Sequence, residues 1–160
     1  MEVDFNTLPK QSKVWMYQSN RLLNEQDQRI ICELAEVFLN QWESHNIPVS
    51  GSIDTLNNYF IRIAAFTDEP NMCGRAQDAQ VKLAKEIELE LGIELTNRML
   101  LAFDVDGTTR IIHLNDVAQE IERGQIVQES NFYNNLIQSK EDFHSSWVMK
   151  AGDSWLAKYF

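Results

Sequence analysis

The stretch from Asn57 to Gly92 most constrains what this chain can fold into. Tyr59-Phe60-Ile61-Arg62-Ile63-Ala64-Ala65-Phe66 reads as a strand, rich in β-branched and aromatic residues. A polar loop follows from Thr67 to Arg75. Gln77 to Leu91 then reads as an amphipathic helix, with Val81, Ala84, Ile87 and Leu91 on its inner side and Gly92 as its C-cap. A strand and a helix one loop apart supply a sheet and a face to pack on it, the elementary layer of a mixed fold. The loop holds Cys73, Gly74 and Arg75 at a helix N-terminus, where any chemistry is expected first.

The rest of the chain extends this layer. Lys13 to Gln18 (Lys-Val-Trp-Met-Tyr-Gln) reads as a first strand. Asn24 caps a helix running to about Glu43, with Glu25 and Asp27 favourably placed in its first turn. Ile30, Ile31, Leu34, Val37, Phe38 and Trp42 form its buried stripe, and Cys32 beside them reads as a small packing residue. Asn46-Ile47-Pro48 breaks the helix. Val49 to Asp54 forms a second strand, and Thr55 to Asn58 turn into the third. Leu100 to Asp104 and Thr108 to Leu114 read as a hairpin, because Asp106-Gly107 suits a turn whose two central residues need positive φ. A third helix, about Asp116 to Arg123, is capped by Asn115 and ended by Gly124.

This order predicts an α+β fold: a ferredoxin-like split βαβ antiparallel sheet with two helices on one face and an extra hairpin strand. One domain over residues 1–160 is expected, with an α+β core at about 13–114 and a packed helical or irregular C-terminal extension at 115–160. That extension carries Phe132, Tyr133, Phe143, Trp147, Trp155, Tyr159 and Phe160, too apolar a load for a solvated linker. It is expected to pack back on the domain, over a sheet face that otherwise needs a partner.

Several function classes lose ground on charge and composition. The formal net charge is −10 and the pI about 4.7. Such a field repels phosphate backbones and anionic membranes, so no nucleic-acid or membrane partner is expected. No apolar run approaches a membrane span. Met1-Glu2-Val3-Asp4-Phe5 lacks the parts of a signal peptide, and cytoplasm is the expected compartment. Two cysteines, Cys32 and Cys73, make neither a disulfide framework nor a zinc site. His45, His113 and His144 are scattered without metal-ligand spacing. No metal or cofactor is expected.

Two motifs carry chemistry. Phe103-Asp104-Val105-Asp106-Gly107-Thr108 looks like the first motif of haloacid-dehalogenase-type phosphatases, in which paired aspartates act beside magnesium. That chemistry needs later βα units, and the 52 residues after Thr108 do not read as several of them; a hairpin turn accounts for Asp106-Gly107. The second motif is Cys73-Gly74-Arg75. A thiol at a helix N-terminus is acidified by the dipole and by a nearby cation, and the same amides can hold an anion. No histidine is near Cys73 in sequence to serve as a base.

Three further segments stand out: Val14-Trp15-Met16-Tyr17-Gln18-Ser19-Asn20-Arg21, Phe132-Tyr133-Asn134-Asn135-Leu136-Ile137-Gln138, and Asp153-Ser154-Trp155-Leu156 with Tyr159-Phe160. Together they resemble a family of small uncharacterised bacterial proteins, about this long, often labelled ABC transporter ATPases. There is no Gly-x-x-x-x-Gly-Lys-Ser/Thr run, so an ATPase reading has no support. In that family a Cys-Ser-Ile-Asp stretch precedes the second helix. Here Ala76-Gln77-Asp78 stands in place of Ser-Ile-Asp, with Cys73 displaced upstream, so Asp78 keeps the helix-start carboxylate.

No catalytic set assembles from these residues alone. The expectation is therefore a binding or interaction protein, as a homodimer or with a protein partner. The alternative is a small enzyme or anion-ligand binder built on Cys73, Arg75 and Asp78, with Tyr17 and Arg21 approaching from the first strand.

Overall fold

In a computed structural model describing residues 1–160, the chain is mixed α and β, with antiparallel sheets. The first sheet holds β1 (Lys13–Gln18), β4 (Ser50–Leu56) and β5 (Phe60–Phe66) in the order β1-β5-β4, with β5 antiparallel to both neighbours. Alternation along β5 divides its side chains between two cores. Ile61, Ile63 and Ala65 face α1 (Glu25–Gln41) and α2 (Gly74–Leu91), meeting Ile31 and Leu39 of α1 and Leu83, Ala84 and Ile87 of α2. Phe60 and Ala64 face the other way, with Val14 and Met16 of β1.

That second face is covered by the chain itself. Phe5 and Leu8 come from the N-terminal segment, and Tyr133, Ile137 and Trp147 come from residues 131–147. The cover is aromatic. Phe60 lies 4.7 Å from Tyr133 and 5.1 Å, edge-on, from Trp147, and Trp147 stacks on Phe143 at 5.0 Å. Arg62 belongs to this face too. Its guanidinium lies 3.4 Å from the centre of the Phe5 ring and donates to Asp54 at 2.7 Å.

The strand at 100–105 departs from the ferredoxin-like expectation, which sets it beside β1. Instead β6 (Leu100–Val105) pairs with β7 (Thr108–His113) on one side and β8 (Asn131–Tyr133) on the other, and β9 (Val148–Lys150) completes a second sheet in the order β7-β6-β8-β9. The start of the β1 edge is already occupied. Val14 N–H donates to the Gln138 carbonyl at 3.1 Å, and Lys13 bridges to Ser139. β6 meanwhile has partners on both edges, and Phe103 and Phe132 lie 5.4 Å apart across them. The outer core of this sheet joins Leu101, Phe103 and Ile112 to Val117 of α3 (Val117–Glu122), Ile126 and Leu156.

Other details differ. α1 ends at Gln41, and Glu43–Ser44 (β2) and Ile47–Pro48 (β3) form a small hairpin whose turn residues His45 and Asn46 have φ of 52° and 64°. Val37 is 59% exposed, because Ala35 and Leu39 hold the inner line of α1. Cys32 is exposed rather than packed. The short β8, α4 (Lys140–Ser146) and β9 escape a periodicity reading. No helix is long and apolar enough to cross a membrane.

Candidate thiol site at the start of the second long helix

The first amides of an α-helix lack intrahelical acceptors and are met by an N-cap side chain. In α2 that cap is Cys73, a residue outside the usual Ser, Thr, Asp and Asn set. Its φ of −65° and ψ of 153° are extended, and Sγ accepts the Ala76 N–H at 3.4 Å. The Cys73 N–H donates to the hydroxyl of Ser44, which is buried in β2, at 3.0 Å. A hydroxyl that accepts through its oxygen keeps its own proton for another partner, and that proton is available to Sγ.

Together these groups favour the thiolate. The Ser44 hydroxyl contributes most, then the Ala76 N–H, then the main-chain N–H and ring of His45, and they lower the thiol from its ordinary value to about 7. Partial burial opposes them.

The β2–β3 hairpin carries both Ser44 and His45. Two consecutive residues at positive φ reverse the chain within two positions, which brings His45 to the Cys73 end of α2. His45 Nδ1 meets Glu69 Oε2 at 2.5 Å. That carboxylate raises the pKa of His45 and favours its imidazolium form. An imidazolium beside a thiolate is the charge pattern of an activated nucleophile. The side chains of His45 and Glu69 are 57% and 32% exposed, so small solutes reach the site from solvent.

The other candidates scatter. Arg75 and Asp78 sit on the exposed side of the first turns of α2, outside the hydrogen bonds that hold Cys73. Tyr17 lies further along this helix, where its hydroxyl donates to Gln80 Oε1 at 2.6 Å and burial pushes its pKa up. Arg21 does not approach Cys73. It lies at the opposite end of α2, an 18-residue helix about 27 Å long, and donates there to the Leu91 carbonyl at 3.2 Å. Arg21 also grips Asp27 at 2.6 and 3.2 Å, while Asp27 closes the capping box of α1 with Asn24.

The Arg21 guanidinium holds the buried Asp27 carboxyl below its ordinary pKa. A depressed carboxyl stabilises the fold above its unfolded pKa, and this contribution is lost as pH falls through the folded value. Arg21→Gln is therefore expected to raise the pH midpoint of acid unfolding, followed by circular dichroism, with little effect on Cys73 reactivity.

Asp104 and Asp106 shape a turn. Asp106 and Gly107 have φ of 52° and 80°, and Asp104 Oδ1 accepts the Gly107 N–H at 2.9 Å. His113 accepts the Asn115 N–H through Nδ1, and His144 lies against Phe5 and Phe143. No group of three or more His, Cys, Asp or Glu side chains is placed to hold a metal ion.

The sequence singles out Cys73 but not its neighbours Ser44 and His45, which precede it by 29 and 28 positions. No protein-family model, curated protein or solved structure matches this chain.

Proposed function

We propose that the protein acts through Cys73 as a nucleophilic thiolate, in exchange with small soluble disulfides. The observation that carries this reading is the Cys73 thiol at the N-cap of α2, with the Ala76 N–H on its sulfur and Ser44 held against its main-chain N–H, a setting that with His45 of the same hairpin lowers the thiol to about 7. In the reaction, Cys73 Sγ attacks one sulfur of a disulfide R–S–S–R. A new Sγ–S bond forms, the old S–S bond breaks, and the departing thiolate takes a proton from the His45 imidazolium. The product is a mixed disulfide at Cys73, reversed by any second thiol. Cys32, exposed on α1, is the other cysteine and serves as an internal comparison. Tyr133, Ile137 and Trp147 fill the second face of the first sheet, so the alternative of a protein-interaction role finds no open sheet face there.

The test is the pH dependence of iodoacetamide alkylation in the Cys32→Ser protein, which leaves Cys73 alone. Its rate should rise with a midpoint near 7, against about 8.5 for an ordinary thiol. At pH 7 about half of Cys73 is thiolate against about 3% of an ordinary thiol. The lower intrinsic nucleophilicity of an acidic thiol offsets most of this, leaving a net advantage of about threefold. Ser44→Ala should move the midpoint upward. A midpoint above 8 in the Cys32→Ser protein would sink the proposal.

A further inference from the structure

A cleft of about 960 Å³ lies between the edge of β1 and the second sheet, near the upper end of small-ligand cavity sizes. Its apolar lining includes Trp15, Tyr17, Val81, Leu95 and Leu101. Its charges are one-sided. Lys13, Lys85 and Arg98 line it, with no aspartate or glutamate among the 22 lining residues. The chain as a whole has 24 acidic residues in 160, so a stretch of surface this size would carry about three at the average density. All three cations are exposed, and none is in an ion pair. In a molecule of net charge −10, this cleft is a local positive site over apolar walls.

The β1 edge adds a polar element. Main-chain groups of an antiparallel strand point alternately to either side. Ser19 N–H donates to Tyr59 on the β5 side and Val14 N–H donates outward to Gln138. The Met16 N–H shares the direction of Val14 and turns into the cleft without a strand beside it. At the ends of this edge Gln138 binds Val14, and the Gln18 side chain bonds to Leu100 O and Asn135 Nδ2. The middle is left open.

We infer that this cleft binds a small amphiphilic organic anion, its apolar or aromatic body against Trp15 and Tyr17 and its acidic head toward Lys13, Lys85 and Arg98. This inference is independent of the thiol reading, since Cys73 does not line the cleft.

Decanoate is a suitable probe, followed by isothermal titration and by the fluorescence of Trp15 and Trp155, which both line the cleft. One-to-one, saturable binding is expected, at least tenfold tighter than for decanol and weakened by salt. Lys85→Glu and Arg98→Glu should each weaken decanoate binding by about fivefold or more, by removing one attraction and adding one repulsion. Lys82→Glu, on the same helix but outside the cleft, makes the same change in net charge and should leave binding within twofold. Cys73→Ser should also leave binding unchanged, which separates failure here from failure of the thiol proposal. The inference is overturned by no saturable binding at millimolar decanoate, by equal affinity for decanol, or by equal losses in the Lys82, Lys85 and Arg98 variants.

Discussion

Lys140→Met is expected to cost about 3–5 kcal/mol and to release the N-terminal segment from the sheet. Lys140 is 9% exposed and has no carboxylate partner. Its ammonium donates instead to three main-chain carbonyls, those of Phe5 and Asn6 at 3.0 Å and Leu8 at 2.7 Å. These carbonyls belong to the one-turn helix Phe5–Thr7 and its C-cap; the Phe5 carbonyl also accepts the Leu8 N–H at 3.1 Å, whereas those of Asn6 and Leu8 have no main-chain donor. A hydrogen bond from a charged donor contributes about 1.5–3 kcal/mol, and a buried acceptor left bare costs about 1–3. Three such bonds set the scale. Relief from desolvating the ammonium offsets part of the loss, which brings the net to the stated range. Methionine fills the volume of the lysine stem, so cavity formation contributes little. The measurement is urea unfolding together with amide exchange over residues 3–8. A loss below 1 kcal/mol, with unchanged exchange there, would mean that desolvation cancels the three bonds.

That anchor shows where the sequence is legible and where it is not. The strand at 59–66, the Ala84, Ile87 and Leu91 line of α2 and its Gly92 cap could be read because each depends on neighbours a few residues apart, and Gly92 has φ of 63°; Val81 instead lines the cleft beside β1 and Leu83 takes the core position. The Asp106-Gly107 turn is legible for the same reason, since positive φ at two adjacent residues is a local demand. The partnership of β6 is not local. Leu100 to Val105 is apolar enough for a place in either sheet; residues 138–139, some forty positions later, hold only the start of the β1 edge, and β6 takes β7 and β8 as partners on both of its own edges. The thiol site divides in the same way. Helix position marks out Cys73, whereas Ser44 and His45 reach it through a two-residue hairpin hidden behind the end of α1. The position of Arg21 is not local either, since strand and helix direction alone do not tell which end of α2 the β1 exit meets.

Phe60→Ala should be the most damaging single truncation of the first sheet, at about 3–5 kcal/mol, within the range for a buried phenylalanine. Phe60 is fully buried and sits in the central strand, so its neighbours are fixed from both sides. Its ring also forms the floor on which Tyr133 and Trp147 rest, and Trp147 is further tied to Asn135 Oδ1 at 3.0 Å through its indole N–H. Those rings cannot follow the vacated space without breaking that bond or the β8–β9 pairing, so the cavity stays largely open and the cost stays high. In a chain of this length the loss corresponds to a fall in Tm of roughly 10 °C. The distribution of the damage matters as much as its size. Residues 131–147 contribute both to the second sheet and to the cover of the first. Loosening their floor should therefore speed amide exchange in β8 as well as in β5, in one cooperative step. Exchange that rises in β5 alone, with β8 as protected as before, would show that the pairing of β8 with β6 holds those residues in place and that the aromatic cover merely rests on the first sheet.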